Sequence, residues 1–289
     1  MKWSYRIARI AGIDVRIHIT FLLLPLYFGW VAWQAGGSTE AVRAVLFIFL
    51  LFICVLLHEF GHALAGRHYG VPTPDITLLP IGGVARMLAV PDKPKEEFVI
   101  AVAGPAVNVV IAAVLAPVLW LTGGLFSGPA GETREILHNL LLVNLGLVVF
   151  NMIPAFPMDG GRVFRSLLAM KIRWTKATRI AGRTGQVLAG AFCVGGFLQG
   201  NFMLMLIAIF VFNGAQDEIH FANYREDLER QPPPLPPEEW VRAADVGATR
   251  PAFARSWRWW SGLRPFWRGR RGPRWLRRCR GHSNNAPSL

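Results

Sequence analysis

From Ile17 to Thr39 the chain carries no charged side chain. A run of about 20 such residues is what a helix needs to cross the hydrocarbon core of a bilayer. Phe98 to Trp120 and Ile136 to Met152 read as further spans, and Ala44 to Leu57 contains no charge and no Pro, Gly or Asn. The stretch from Thr184 to Gln216 has 33 residues without a charge, about 50 Å as one helix and too long for a simple crossing. Gln199-Gly200-Asn201 interrupts it, so two short or tilted spans joined by a tight turn are expected, the first of them free to begin before Arg183. Charged residues make up only 17% of the chain and hydrophobic ones 53%, where a soluble domain averages about 25% charged. The expected fold class is therefore an all-α integral membrane protein with about six transmembrane helices. The first apolar run lacks a good small-residue cleavage site and reads as a retained anchor.

Loop charge orients the spans. With the N-terminus inside, residues 1–16, 67–97 and 154–183 lie inside and carry fifteen Lys and Arg, against two in the loops near 40–43, 123–135 and 199–201. Positive residues concentrate on the cytoplasmic side, so both termini are expected there, in the plasma membrane. Net charge is +13 but unevenly spread; a basic excess can mean nucleic acid, anionic lipid or this bias of membrane loops, and no nucleic-acid partner is expected. Cys54, Cys193 and Cys279 are too dispersed for a zinc ribbon or a disulfide framework, and Cys54 and Cys193 are expected to be buried thiols.

His58-Glu59-Phe60-Gly61-His62 lies at the end of the second span, which runs from Ala44 to Gly66. Histidines four apart are separated by about 40° on a helix, so both imidazoles share one face. The pattern offers zinc two nitrogen ligands and sets a carboxylate, Glu59, beside the water that the metal activates. A carboxylate in so apolar a segment costs on the order of 2.5–3.5 kcal/mol unless it has a partner or water, which makes a chance match a poor explanation. A catalytic zinc needs a third ligand. Asp159 is the only acid between Glu135 and Asp217; it reads equally well as that ligand or as a turn or N-cap residue before a helix at Val163. Residues 76–87 place two β-prone runs around Gly82-Gly83, a hairpin signal, so a small hairpin or sheet is expected between helices 2 and 3. Its open edge can take an extended peptide as an added strand.

With these residues in view, the chain resembles the site-2 protease family of intramembrane zinc metalloproteases, M50. The resemblance rests on His58-Glu59-x-x-His62 and on Asn151-x-x-Pro154-x-x-x-x-Asp159-Gly160. Gly82-Gly83-Val84-Ala85, Ala103-Gly104-Pro105-x-x-Asn108 and the entry from Gly12 to Phe21 match further family segments. It covers about residues 10–220 and implies a short form without a PDZ insert or a C-terminal CBS pair. It implies one Zn2+ per chain held by His58, His62 and Asp159, with Glu59 as general base and Asn151 positioning the scissile carbonyl or its oxyanion. Gly82, Gly83 and Val84 would present the edge strand to a transmembrane or membrane-anchored protein substrate. Met158 stands where the family more often has Leu.

The domain expectation is a six-span metalloprotease unit over residues 1–222 and a cytoplasmic tail over 223–289. The tail holds a polyproline linker from Gln231, then eleven arginines between Arg250 and Arg280 interleaved with Trp257, Trp259, Trp260, Trp267 and Trp275. That composition suits contact with anionic lipid, or a disordered tail. Asn108, Asn144 and Gln186 read as interhelical hydrogen-bonding residues, and His18 and His138 as residues at span ends. Two other readings compete. One is an unrelated membrane zinc protease, which would need a later Glu ligand. The other is a catalytically silent scaffold, which has no use for His58, Glu59, His62 and Asp159 together.

Overall fold

Strands come before the first helix. The structure, a computed structural model, describes residues 3–80, 82–89, 91, 93–122 and 131–230. The Gly-rich loop near residue 125, the polyproline linker and the Arg/Trp-rich tail lie outside the described residues. Ser4–Ile10 (β1) and Ile13–His18 (β2) form an antiparallel hairpin. β2 pairs in parallel with Asp75–Leu79 (β3), which pairs antiparallel with Gly82–Ala85 (β4). The result is a four-stranded sheet in the order β1-β2-β3-β4, with β1 and β4 as its edges.

The 76–87 hairpin is present as expected, but the sheet is twice the size of a hairpin, and Ile17 and His18 belong to β2 instead of a span. The N-terminal strands escaped the reading because their outward positions are charged. Arg6, Arg9 and Arg16 lie 3.6–3.8 Å from Asp14, and Arg86 and Arg16 lie 2.7 and 3.7 Å from Asp75. Exposed pairs of this kind contribute about 0–1 kcal/mol each, so they do not hold the sheet. Its other face does: Ile13, Val15 and Ile76 bury against Phe60 and Ala63, and Leu78 joins Phe21, Ile48 and Phe52.

Apart from Phe21, which lies in a short 3-10 turn at Ile19–Leu22, those partners lie on the helix that follows it, Leu23–His68 (α1). As one straight helix its 46 residues would reach about 69 Å. Yet it starts from β2 and ends at β3, its neighbour in the sheet. The chain must turn back, and it does so at Gly36-Gly37, where Gly37 has φ +78°, a conformation only Gly adopts without penalty. Two antiparallel arms result, residues 23–35 and 38–68. Gly29 is the close contact between them, since a Cβ there would lie 2.9 Å from Val45.

Pro94–Leu121 (α2) and Glu132–Asn151 (α3) follow. Asp159–Ala169 (α4) is short. Trp174–Leu198 (α5) and Phe202–Arg230 (α6) are joined at Gln199-Gly200-Asn201, the expected break. α5 starts before Arg183, and α6 continues past residue 222 to Arg230. Among the described residues four helical stretches are long and apolar enough to cross a membrane: Ile19–His68, Pro94–Leu121, Thr133–Asn151 and Phe202–Leu228. Cys54 is buried as expected, but Cys193 is exposed. It sits on an apolar outer face of α5 with Val194 and Phe197, where the hydropathy of the run reflects what surrounds the helix and not internal packing.

Candidate metal centre

The second arm of α1 carries His58 and His62 one turn apart on its buried face, their ring centroids 4.8 Å from each other. Asp159 is the first residue of α4 and is also buried. Met158 occupies the cap position without a side-chain capping bond, so the Asp159 carboxylate is not spent on the helix end. Its Oδ2 lies 3.2 Å from His58 Nε2 and 3.1 Å from His62 Nε2, and the two Nε2 atoms are 3.1 Å apart. His58, His62 and Asp159 are thus brought together across about a hundred residues of sequence.

The outer nitrogens decide what the inner ones can do. His62 Nδ1 donates to the Ile100 carbonyl at 2.7 Å. A carbonyl only accepts, so the proton is on Nδ1 and Nε2 presents a lone pair. His58 Nδ1 donates to Asn108 Oδ1 at 2.5 Å, while Asn108 Nδ2 donates to Asn144 Oδ1 at 2.8 Å. Asn144 Nδ2 donates in turn to the Leu140 carbonyl at 2.8 Å and faces Cys54 Sγ at 3.4 Å. Both Nε2 lone pairs and a carboxylate oxygen therefore point at one another, an arrangement that calls for a cation. Three donors about 2.0–2.1 Å from a tetrahedral zinc are roughly 3.3 Å apart, close to the observed triangle. Two imidazoles and one carboxylate suit zinc, with a position left for water.

The fully buried Asn108 and Asn144 link α2 and α3 to His58. Such partners orient a ligand ring, and losing one typically lowers metal affinity or activity about 10–100-fold. Asn108→Leu should weaken zinc retention against a competing chelator by roughly that factor. Unchanged retention would show that His58 needs no such partner. Gly104 belongs to the same packing, because a Cβ there would collide with the His62 ring.

Glu59 is half-buried and turned toward the sheet. A Cβ on Gly83 would lie 2.6 Å from its Cγ, and the Ala85 backbone N–H lies within hydrogen-bonding reach of its carboxylate. Gly83 is thus placed against Glu59, Gly82 opens the same strand, and Val84 on the alternate face is exposed. Asn151 ends α3 eight residues before Asp159 and is half-buried; the structure gives it no side-chain hydrogen bond to the cluster.

α4 is held by charge. Arg165, 3% exposed, donates through Nε and Nη2 to Glu97 Oε1 at 2.8 and 2.5 Å and through Nη1 to Glu218 Oε2 at 2.5 Å. Its guanidinium also lies 4.9 Å from the Phe156 and Trp174 ring centres. Forming a buried pair contributes little net, but removing one partner typically costs about 3–5 kcal/mol, so the network fixes α4 to α2, α5 and α6. Sequence reasoning counted Arg165 only as a loop charge, and nothing local ties it to acids 68 and 53 positions away. His18 receives a local role, its Nδ1 2.7 Å from Thr20 Oγ1, and Gln186 donates to Gln216 at 2.6 Å between α5 and α6.

The chain matches the model for peptidase family M50 over residues 46–135 and 127–192. It is 42% identical over 220 residues to a zinc metalloprotease of Methanocaldococcus jannaschii, covering 75% of this chain and 61% of that one. It is 27% identical to stage IV sporulation protein FB of Bacillus subtilis, covering 63% of this chain and 57% of the other. The chain thus spans little more than half the length of these curated relatives. The solved structure of a site-2 protease from Methanocaldococcus jannaschii superposes with a TM-score of 0.54 at 38% identity, covering 75% of this chain and 95% of that one. Zinc is the metal that the donor set and these relatives together support. With its apolar helices and its His-His-Asp cluster read beside these likenesses, the chain belongs to peptidase family M50 and is a multi-pass membrane protein.

Proposed function

We propose that this protein is a zinc-dependent intramembrane endopeptidase that cuts transmembrane or membrane-anchored proteins. The observation that carries the reading is the buried triangle of His58 Nε2, His62 Nε2 and Asp159 Oδ2 beside Glu59. In this reading those three side chains hold one zinc. Bound there, zinc would act as a Lewis acid that polarises the scissile carbonyl and lowers the pKa of the attacking water toward ~7.

The chain's own residues supply the remaining steps. Glu59 takes the proton of the water as its oxygen forms a bond to the peptide carbon. It then gives that proton to the leaving amine nitrogen as the C–N bond breaks. Asn151 helps position the carbonyl or its developing oxyanion. β4 is an edge strand, and its outer side offers main-chain groups to an extended substrate. Gly82, Gly83 and Val84 provide that edge, and Gly83 keeps the strand close to Glu59. The substrate helix must unwind locally, because an intact helix shields its amide carbonyls.

Six spans are proposed: residues 19–35, which add the 3-10 turn to the first arm of α1, then its second arm, α2, α3, α5 and α6. The loop charges favour both termini in the cytoplasm, and the plasma membrane is the proposed location. Residues 1–222 are proposed to carry the chemistry, and the Arg/Trp-rich part of the sequence beyond α6 to meet anionic lipid. The deciding experiment uses the full chain in liposomes with a tagged transmembrane substrate. Cleavage should stop on zinc chelation and return with about one equivalent of zinc. Undiminished cleavage by protein verified to be metal-free would reject the reading.

A further inference from the structure

Arg162 follows Asp159 by three residues, so the two share a face of α4. Arg162 is half-buried, and its Nη2 lies 3.8 Å from Met87 Sδ, a weak acceptor. Arg165, one turn further on, takes two carboxylates; among the described residues Arg162 takes none. Met87 continues the line of β4. The Arg86 N–H donates to the Asp75 carbonyl at 3.0 Å, extending the β3–β4 pairing by one residue beyond Ile76↔Ala85. Side chains alternate along a strand, so Gly83, Ala85 and Met87 face the same way. Gly83 faces Glu59, and Ala85 packs against the cluster of Phe60 and Ala63. Arg162 therefore lies at the far end of the strip that begins at Glu59. Four residues at about 3.3 Å each separate the two ends by roughly 13 Å.

We infer that Arg162 is a specificity-determining residue, binding an acidic side chain of the substrate about four residues along the strand from the bond that is cut. The inference rests on the reading of β4 as the strand that receives the substrate. A peptide laid along β4 with its scissile bond beside Glu59 carries its chain past Met87. An Asp or Glu at that point meets a planar, permanently charged fork already partly removed from water.

The test uses a tagged transmembrane substrate carrying a single Asp at each of five positions on either side of the cleaved bond, with Asn as the control at each. Wild-type protein should prefer Asp at one position, three to five residues from the bond on one side only. The preference in kcat/KM should be roughly tenfold, the scale of a charge-assisted hydrogen bond. Arg162→Gln should bring that ratio to about one, and Arg162→Glu should invert it toward Lys at the same position. Zinc content should stay at the wild-type level in both variants. The same charge profile in wild type and Arg162→Gln would overturn the assignment. So would a dependence on Arg162 that follows the anionic lipid content of the vesicles and not the substrate's charge; that result would give the guanidinium to a lipid phosphate. If zinc-loaded wild type cuts no member of the set, the peptidase reading itself falls and takes this inference with it.

Discussion

Glu59→Gln is expected to keep its zinc and its membrane insertion while cleavage slows by about 10²–10⁴, the usual worth of a general acid–base residue. Glutamine has nearly the same shape as glutamate, so the contacts under Gly83 survive, and its amide oxygen still accepts from the Ala85 N–H. His58 and His62 keep their bonds to Asn108 and Ile100 and remain free to bind metal. Only the proton acceptor is lost. Because the proposed role of Glu59 is double, acceptor first and donor later, the loss should fall toward the upper end of that range. Zinc and cleavage are to be measured on the same sample in detergent or liposomes. Wild-type-like cleavage by zinc-loaded Glu59→Gln would falsify the mechanism. A scaffold that merely holds a partner would be indifferent to the change.

Asp159→Ala should act on the other quantity. It removes one of three donors and leaves two imidazole lone pairs facing each other without the carboxylate. Zinc per chain should fall well below one, and cleavage should fall to background at ordinary zinc concentrations. Asp159→Asn separates the causes, since it keeps the shape at the start of α4 and removes only the charge. Metal loss in both variants points to the ligand; loss in the alanine variant alone points to packing. Full zinc and full activity in Asp159→Ala would take Asp159 out of the site. The two substitutions thus separate the residue proposed to move protons from the residue proposed to keep the metal.

His58 and His62 were legible because the helix period alone puts them on one face. Asp159 was not legible from residues alone. Its place before Gly160-Gly161 suits a helix start, and it does start α4; that its carboxylate turns away from the helix end toward two histidines a hundred positions back is a tertiary fact. The long apolar helices were legible because hydropathy accumulates along a helix. β1 and β2 were not, since their charged outward positions break the apolar pattern and their inward ones are only Ile13, Val15 and a neighbour. Asn108 was readable as a hydrogen-bonding residue, but its partner was not, and the Glu97–Arg165–Glu218 network joins residues whose separations follow no period.

The parallel pairing of β2 with β3 has a consequence for how the protein is made. Parallel neighbours cannot be joined by a tight turn, and here the connection is the whole of α1, out along one arm and back along the other. Strand β2 is synthesised first and must wait for its neighbour until both arms have been threaded. Only after about residue 85 has left the ribosome can the sheet close and bring Gly83 over Glu59. Asp159 arrives some seventy residues later still. On the proposed reading, a nascent chain therefore has both histidines well before it has either the strand offered to a substrate or the third metal ligand, and proteolytic competence would come late in synthesis.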